Sequence, residues 1–262
     1  MRVVLKIESR KNSSIPVNYN YPLSSAIYNL LRLGSSEFSS FLHDIGFKQN
    51  NKIYKLFTFA LRFENAYIKG NSFILKSPNA LLYISSPLID TFIQTFIIGT
   101  FESQSIEIID KNHNALFQIT QVETLPEIKF KDVADFIPYS PIVLSVKRET
   151  GNQFRQYYLR PEDTDEINRV MTNNLLAKYQ LINQKTIEGG NVKLEWDKDY
   201  LKTHTRLTKK ITVNKDENIS IDIIGMQAPF TLTGNSELIK VGYDVGFGEK
   251  NSMGFGLAVS RN

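Results

Sequence analysis

Cysteine is absent from all 262 residues of the chain. A disulfide framework and a thiolate metal site both require cysteine, so the sequence excludes both. Histidine is nearly as scarce, and its three copies are His43, His113 and His204. They lie far apart and lack the spacing of a metal-binding motif, so we expect no metal ion and no other cofactor.

Long apolar runs are also missing. No stretch stays apolar over the ~18 residues that a membrane-spanning helix needs. Near the N-terminus, Lys6 and Glu8 interrupt the apolar residues too early for a secretory signal peptide. We therefore expect a soluble, cytoplasmic protein with no membrane partner.

The remaining composition is that of a folded and mildly basic protein. Hydrophobic residues make up 42% of the chain, which is ample for a core, and the net charge is +4 with an isoelectric point near 9.0. This balance permits a polyanionic partner such as nucleic acid without requiring one. A chain of this length forms one large domain or two small ones.

Glycine is concentrated near the C-terminus. Five of the fourteen glycines lie between residues 242 and 259, namely Gly242, Gly246, Gly248, Gly254 and Gly256. Glycine permits positive φ, and successive N–H groups in such a loop form a concavity that binds phosphate, where Lys250 adds a positive charge. A tightly packed glycine-rich hairpin explains the same spacing, so both interpretations stay open. The apolar residues Phe255, Leu257 and Val259 predict a buried final strand.

Residues 245–256, with the sequence VGFGEKNSMGFG, closely resemble the signature loop of one family. That family is the CRISPR repeat-processing endoribonucleases of the repeat-associated (RAMP) superfamily. The resemblance implies an enzyme that cuts precursor CRISPR RNA within its repeats. Its partner would be CRISPR repeat RNA, with proteins of a CRISPR effector complex as further candidates. Whether the chain acts as a monomer or a homodimer stays open.

Hydrophobic periodicity predicts strands and helices in a similar order in both halves of the chain. Strands are predicted at 3–7, 56–61, 73–76, 80–85, 105–109, 117–122, 142–146, 192–196, 205–213 and 219–226, and helices at 23–31, 38–45, 88–97, 164–179 and 236–243. Ser24 is a candidate N-cap for the first helix, whereas Gly34, Gly46 and Gly99 are expected to end helices.

The segment 127–141 is the predicted domain boundary, because it has mixed charge and contains Pro138 and Pro141. It divides the chain into domains 1–138 and 139–262. The element order of each half suggests a βαββαβ unit. The predicted fold class is therefore α+β, with two tandem ferredoxin-like, RRM-like domains and a C-terminal glycine-rich loop. The family resemblance implies the same fold.

His43 is the strongest catalytic candidate from the residues themselves. Histidine titrates near neutral pH, so it can accept or donate a proton. His43 lies off the apolar stripe of its predicted helix, just before Gly46 and a lysine-rich loop where a phosphate can approach. Tyr28 lies beside the stripe of the preceding helix. A structural or merely exposed histidine is the alternative.

The family resemblance adds roles to three residues. A tyrosine in one helix, a histidine near the end of the next helix and a lysine before a phenylalanine-rich strand match Tyr28, His43 and Lys55. Because the intervening loop is long, Lys52 is a rival for the lysine role. The implied reaction needs no metal: the ribose 2′-OH attacks the adjacent phosphorus, which leaves a 2′,3′-cyclic phosphate and a 5′-OH. Tyr28 or His43 would accept the proton, His43 would donate one to the leaving oxygen, and Lys55 would stabilise the phosphoryl charge.

Contacts with RNA are expected over a wider surface. A basic cluster on a predicted hairpin is expected to hold phosphates, with a solvated strand edge as the alternative. Its residues are Lys202, His204, Arg206, Lys209 and Lys210. The glycine-rich loop is expected to contact the RNA backbone through Gly246, Gly248, Lys250, Gly254 and Gly256. The alternative function is a non-catalytic repeat-binding protein or an effector-complex subunit.

Overall fold

Two antiparallel sheets with helices packed on them organise the chain, which confirms the predicted α+β class. The computed structural model describes residues 1–10, 12–49, 51–151, 153–216 and 219–261. Alternation of buried and exposed side chains along the strands places one face of each sheet against a core.

The strands are short and many. In chain order they are β1 (Arg2–Ser9), β2 (Ser14–Pro16), β3 (Phe47–Gln49), β4 (Lys52–Tyr54), β5 (Thr58–Phe63), β6 (Ala66–Lys69), β7 (Ser72–Leu75), β8 (Asn79–Ser85), β9 (Ser105–Ile109), β10 (Asn114–Leu125), β11 (Val133–Pro138), β12 (Ser145–Thr150), β13 (Gln153–Tyr158), β14 (Val192–Trp196), β15 (Thr208–Asp216), β16 (Ile219–Met226), β17 (Phe230–Gly234) and β18 (Ala258–Ser260).

The helices connect these strands. They are α1 (Asn20–Gly34), α2 (Ser36–Ser40), α3 (Gln94–Ser103), α4 (Thr164–Asn183), α5 (Lys198–Thr203) and α6 (Ser236–Val245). A π-helical turn, Phe41–Ile45, continues α2, another at Ile89–Ile93 precedes α3, and a 3-10 turn covers Asn251–Met253. Among the described residues, no helix is both long and apolar enough to cross a bilayer.

The first sheet has the order β5-β8-β1-β10-β9. Val3, Leu5 and Ile7 of β1 are buried in a core that α1 and α3 complete. The two helices approach closely at glycines, since a Cβ added to Gly99 would lie 1.8 Å from the Leu30 carbonyl oxygen. Gly99 was expected to end its helix, but α3 continues to Ser103 because this glycine serves helix packing instead.

The second sheet has the order β14-β17-β11-β18, with α4 and α6 packed on it. Residues 133–138, which lie inside the predicted boundary segment, form its strand β11 between β17 and β18. The strand predicted at 142–146 was wrong in its bounds. Ile142 and Val143 make isolated bridges to Met226 and Gly248, and β12 begins at Ser145 to form a hairpin with β13.

One short segment joins the two cores. Leu56 packs in the core of the second sheet, whereas Phe57 packs in that of the first, where it stacks on Phe92 at 4.7 Å. Leu56 has a positive φ of 52°, an uncommon state for a residue with a side chain. Ser86 Oγ donates a hydrogen bond of 2.9 Å to its carbonyl oxygen. The backbone after Lys55 is therefore fixed from both sides.

Two local predictions near the site were wrong. Helix α1 begins at Asn20, one turn before the predicted N-cap Ser24. The strand predicted at 205–213 starts at Thr208, and Lys202 lies in the helix α5 that precedes it. Asp197 caps α5 by accepting hydrogen bonds from the Asp199 and Tyr200 amides, and this N-cap is visible in the sequence only once the helix is known.

Candidate functional site

A surface cleft of about 530 Å³ brings together the three predicted catalytic residues. Tyr28, His43 and Lys55 all line it, and Ser252 of the glycine-rich loop lines it beside them. These residues come from α1, the π-helical turn after α2, the segment before β5 and the 3-10 turn near the C-terminus. The cleft therefore lies where the first sheet's helices meet the C-terminal loop.

Helix α1 holds Tyr28 and is tied to the C-terminal loop. Asn20 Nδ2 donates to the Met253 carbonyl oxygen at 2.9 Å, and Ser24 Oγ donates to the Ser252 carbonyl oxygen at 2.8 Å. Tyr28 follows Ser24 by one helical turn, so its ring lies on the same face of α1. The position of Tyr28 relative to the loop is thus fixed by hydrogen bonds.

Tyr28 is partly buried among aromatic rings. Its ring meets those of His43 and Phe57 edge to face, with centroids 5.3 and 5.8 Å apart. Burial raises the pKa of the Tyr28 hydroxyl above its usual range, and a side-chain hydrogen bond with Ser252 opposes this in part. Tyr28 therefore stays protonated at neutral pH and acts there as a hydrogen-bond donor.

His43 is exposed, as its place off the apolar stripe predicts. The fraction of its side chain open to solvent is 69%. Its Nδ1 lies 2.7 Å from Asp44 Oδ1, and because a carboxylate only accepts, Nδ1 is the donor in this contact. Nε2 is therefore the ring nitrogen left for other partners. Gly46, with a φ of 64°, ends the turn immediately afterwards, as predicted.

Lys55 and Lys52 lie in different surroundings. Lys55 Nζ donates to the His43 carbonyl oxygen at 2.7 Å, which holds its ammonium group in the cleft. Burial lowers the Lys55 pKa, and the charge of Asp44 opposes this. Lys52 Nζ instead pairs with Glu249 Oε1 at 3.0 Å and lines a neighbouring pocket. Of the two lysines, Lys55 is the one that shares a cleft with Tyr28 and His43.

The glycine-rich loop is folded into the protein. Gly246, Gly248, Gly254 and Gly256 are buried and all have positive φ. A Cβ on Gly248 would lie 2.3 Å from the Val143 carbonyl oxygen, and one on Gly256 would lie 2.0 Å from that of Phe247. Contacts within the chain thus explain these glycines, and Lys250 and Ser252 are among the partly exposed residues of the loop.

Comparisons with known proteins identify the family of the chain. The family model for the N-terminal part of the CRISPR-associated protein Cas6 matches residues 14–121, and the model for its C-terminal part matches 123–259. The chain belongs to the Cas6 family.

Full-length relatives of the Cas6 family match nearly the whole chain. The CRISPR-associated endoribonuclease Cas6 1 of Methanocaldococcus jannaschii is 30% identical, over 99% of this chain and 92% of that protein. The CRISPR-associated endoribonuclease Cas6 of Pyrococcus furiosus is 25% identical, over 93% of this chain and 82% of that protein. A solved structure described as a CRISPR associated protein Cas6 has a TM-score of 0.76 at 29% identity, and it covers 100% of this chain and 99% of that one.

Lys178 of α4 holds the glycine-rich loop through hydrogen bonds. No motif in the sequence indicated this role. Its side chain is 1% exposed. Its Nζ donates to the carbonyl oxygens of Gly246 and Gly248, both at 2.7 Å, and to Asn251 Oδ1 at 2.8 Å. Burial lowers the Lys178 pKa to about 7, although Glu249 opposes the shift. Three acceptors match the three N–H groups of the ammonium form.

Asn251 connects Lys178 to the turn that lines the cleft. Its Nδ2 donates to the Phe255 carbonyl oxygen at 3.0 Å, so both ends of the amide are engaged. Asn251 also starts the 3-10 turn that carries Ser252. The buried ammonium group of Lys178 therefore orients the turn that faces Tyr28.

The residues of the predicted basic cluster have different local partners. Arg206 and Lys209 line a pocket together with Arg62, and burial lowers the Lys209 pKa. Lys202 instead pairs with Asp199, and Lys210 pairs with Asp222. Lys209 and Lys210 point to opposite faces of β15, as neighbours in a strand must.

The other histidines have local partners. The His204 ring stacks on Tyr200 with centroids 3.8 Å apart, and His113 Nδ1 lies 2.7 Å from Asp110 Oδ1. Within the described ranges, no group of three or more histidine, aspartate or glutamate side chains is arranged to hold a metal ion.

Proposed function

We propose that the chain is an endoribonuclease that cuts precursor CRISPR RNA within its repeats. Membership of the Cas6 family supports this, since the relatives from M. jannaschii and P. furiosus are named as CRISPR-associated endoribonucleases. The observation that carries the proposal is the cleft in which Tyr28, His43 and Lys55 meet. A proton-transfer group, a hydrogen-bond donor and a cation at one opening are what phosphodiester cleavage requires.

The proposed reaction is transfer within the substrate. The ribose 2′-oxygen attacks the adjacent phosphorus, the bond to the 5′-oxygen breaks, and the products are a 2′,3′-cyclic phosphate and a 5′-OH. One proton leaves the 2′-OH and one arrives at the 5′-oxygen, so the reaction neither consumes water nor requires a metal-bound hydroxide. Because the nucleophile belongs to the substrate, the enzyme contributes mainly alignment and charge.

Roles follow from the surroundings of each residue. We assign the proton transfers to His43, because its side chain is exposed and Asp44 engages Nδ1, which leaves Nε2 to exchange protons with the RNA. Tyr28, with its raised pKa, retains its proton and donates a hydrogen bond to the scissile phosphate. The Lys55 ammonium stabilises the charge that develops on the phosphoryl oxygens, and Ser252 lies beside it.

RNA contacts extend from the cleft along the surface. We assign the glycine-rich loop to the RNA backbone near the scissile bond, with Lys250 supplying charge and the four glycines setting its shape. Arg206 and Lys209 are assigned to phosphates further away, and Lys202 and Lys210, which pair with Asp199 and Asp222, supply further positive charge outside that pocket.

We also assign each sheet to one ferredoxin-like unit. If the strands of a βαββαβ unit are numbered in chain order, β5, β8, β1 and β10 lie side by side as 2-3-1-4, and so do β14, β17, β11 and β18. The pairing of β11 favours a boundary within residues 126–132. The predicted domains 1–138 and 139–262 differ from this division in where residues 133–138 belong.

Incubation of purified protein with a repeat-containing RNA, in chelator and in magnesium, tests the proposal. We expect one cut within each repeat at equal rates in both buffers. Tight binding without cleavage would instead favour a non-catalytic repeat-binding protein or an effector-complex subunit. Cleavage only with magnesium would agree with an endoribonuclease but would contradict the metal-independent mechanism.

A further inference from the structure

Helix α1 has an apolar side and a polar side, and the polar side lines the cleft. The apolar side packs in the core of the first sheet through Leu23, Ile27, Leu30 and Leu31. On the polar side, residues recur at spacings of four, three and four, which keeps them on one stripe of the helix. The cleft of about 530 Å³ is lined by all four of them, Tyr21, Ser25, Tyr28 and Arg32.

This stripe extends beyond Tyr28 in both directions along the helix axis. Arg32 follows Tyr28 by four residues, which is a rise of about 6 Å, and Tyr21 precedes it by seven, a rise of about 10 Å. An RNA strand whose scissile phosphate lies at Tyr28 would therefore meet Arg32 on one side and Tyr21 on the other.

Arg32 brings an unpaired positive charge to the cleft. It is exposed, and in the described part of the chain its guanidinium makes no ion pair and no hydrogen bond. Among the described residues that line the cleft, Asp44 is the one carboxylate, and it is engaged with His43. The last turn of α1 favours any positive charge, which a lysine would also supply. A guanidinium adds a planar fork of donors that matches two oxygens of one phosphate.

Tyr21 presents an aromatic ring at the opposite end of the stripe. Its exposed fraction is 40%, and within the described ranges its ring contacts no other aromatic ring. Tyr19, two residues earlier, packs instead against the rings of Phe63 and Phe73. An exposed ring beside an RNA strand is a stacking surface for an unpaired base, and such stacking accepts any of the four bases.

We propose that the polar side of α1 is a track for single-stranded RNA on both sides of the scissile bond. Arg32 binds a phosphate next to the scissile one, and Tyr21 stacks on an unpaired base at the other end of the cleft. The two contacts hold the strand along the helix, so that the scissile phosphate stays at Tyr28. The inference rests on the proposed function, because it takes this cleft as the place of cleavage.

The test crosses one change in the RNA with one change in the protein. Neutral methylphosphonates replace single phosphates near the scissile bond, and abasic nucleotides replace single bases there. Binding constants and single-turnover cleavage rates are measured for the wild type, Arg32→Ala and Tyr21→Ala. Tyr21→Phe is one control, because it keeps the ring. Arg169→Ala is the other, because Arg169 is exposed, lies 3.9 Å from Glu166 and is not among the residues that line the cleft.

We expect one methylphosphonate to weaken binding by the wild type severalfold. Arg32→Ala should lose little more affinity on that RNA, since both changes remove the same contact. Arg32→Ala should also lower the slope of log affinity against log salt by about 0.7, the effect of one phosphate contact to a single strand. Tyr21→Ala should weaken binding about fivefold or more and should be insensitive to one abasic position. Both control variants should bind as the wild type does.

Wild-type affinity in both alanine variants, or additive losses at every RNA position, would overturn the track. An unchanged salt slope in Arg32→Ala would overturn its phosphate contact, and equal weakening by Tyr21→Phe and Tyr21→Ala would overturn stacking. Failure of the proposed function looks different, because the wild type would then leave the intact repeat uncut. In that event the substitutions are scanned along the whole repeat and the coupling is read from the binding constants alone. Additive losses throughout would overturn the track there as well.

Discussion

Lys178 Nζ lies 2.8 Å from Asn251 Oδ1, and this contact joins helix α4 to the turn that lines the cleft. The same nitrogen donates to the Gly246 and Gly248 carbonyl oxygens, so one buried side chain supports three points of the loop. Lysine is the side chain that supplies three N–H donors from a single nitrogen at the end of a flexible stem. We infer that Lys178 positions Ser252 for catalysis without touching RNA.

Lys178→Met should therefore impair both the loop and the enzyme. We expect a loss of about 3 kcal/mol in the free energy of unfolding, because three buried oxygens lose their donor. Cleavage by the folded fraction should fall about a hundredfold, since the loop would shift relative to Tyr28. Lys185→Met is the control, because Lys185 is exposed just after the same helix. Normal cleavage by folded Lys178→Met would contradict the positioning role.

The Lys178 variant also has a pH signature. The pKa of Lys178 is about 7 in the folded protein and about 10.5 when the chain is unfolded, so between these values the unfolded state binds more protons. Stability from this group should thus be lost as pH falls through about 7 and fully present above about 10.5. Urea unfolding at several pH values measures the difference between wild type and Lys178→Met. That difference should grow with pH across this window, and a flat or falling difference would contradict the buried, shifted lysine.

Gly248 should tolerate no side chain. A Cβ there meets the Val143 carbonyl oxygen at 2.3 Å, whereas one at Gly189, which also has positive φ, meets nothing within 4 Å. Gly189→Ala should thus cost only the backbone term of about 1–2 kcal/mol in the free energy of unfolding. Gly248→Ala should cost at least about 2 kcal/mol more through steric overlap. Equal losses of unfolding free energy in the two variants, measured by urea unfolding, would contradict the steric overlap at Gly248.

His43→Ala should abolish cleavage and leave RNA affinity nearly intact. The His43 side chain is exposed and its ring contacts that of Tyr28, so its loss removes proton transfer, worth at least about a hundredfold in rate, and one ring contact. His204→Ala removes an exposed histidine outside the cleft and serves as the control. At saturating RNA its single-turnover cleavage rate should equal that of the wild type, whatever its effect on affinity. Rates and binding constants are measured together on repeat RNA. Undiminished cleavage by His43→Ala would remove this residue from the mechanism.

Lys55→Ala should slow cleavage more than Lys52→Ala. Lys55 lies in the cleft with His43, whereas Lys52 is paired with Glu249 outside it. Loss of a cation at the developing charge should cost about a hundredfold at saturating RNA. Cleavage rates of the two variants are compared at saturating RNA. If Lys52→Ala is as slow as Lys55→Ala, or slower, the role belongs to Lys52.

The sequence predicted the parts of the site that depend on local pattern. Periodicity placed Tyr28 and His43 on neighbouring helices beside apolar stripes, and the family resemblance assigned both of them and Lys55 to the site. The structure brings the three residues to one cleft. Strand β11 escaped prediction because Pro138 and Pro141 were interpreted as a boundary, although Pro138 is the last residue of the strand and Pro141 follows it.

The remainder depends on contacts between residues far apart in the chain. Lys178 touches a loop 68 to 73 positions later, and no spacing rule reaches that far. One indication was present, because Lys178 follows Met171 and Leu175 at core positions of α4. A lysine at such a position must either be paired or reach the surface. For the glycines the sequence left ligand approach and tight packing open, and the close neighbours of Gly248 and Gly256, Val143 and Phe247, favour packing.

Replacement of the single scissile ribose by deoxyribose tests the central claim most directly. If the substrate's 2′-oxygen is the nucleophile, the deoxy RNA should bind with nearly unchanged affinity and resist cleavage, because one small contact is lost among many. The unmodified RNA should then yield a 2′,3′-cyclic phosphate and a 5′-OH, read by mass spectrometry. Cleavage of the deoxy RNA at the normal site would contradict the account and require a different nucleophile.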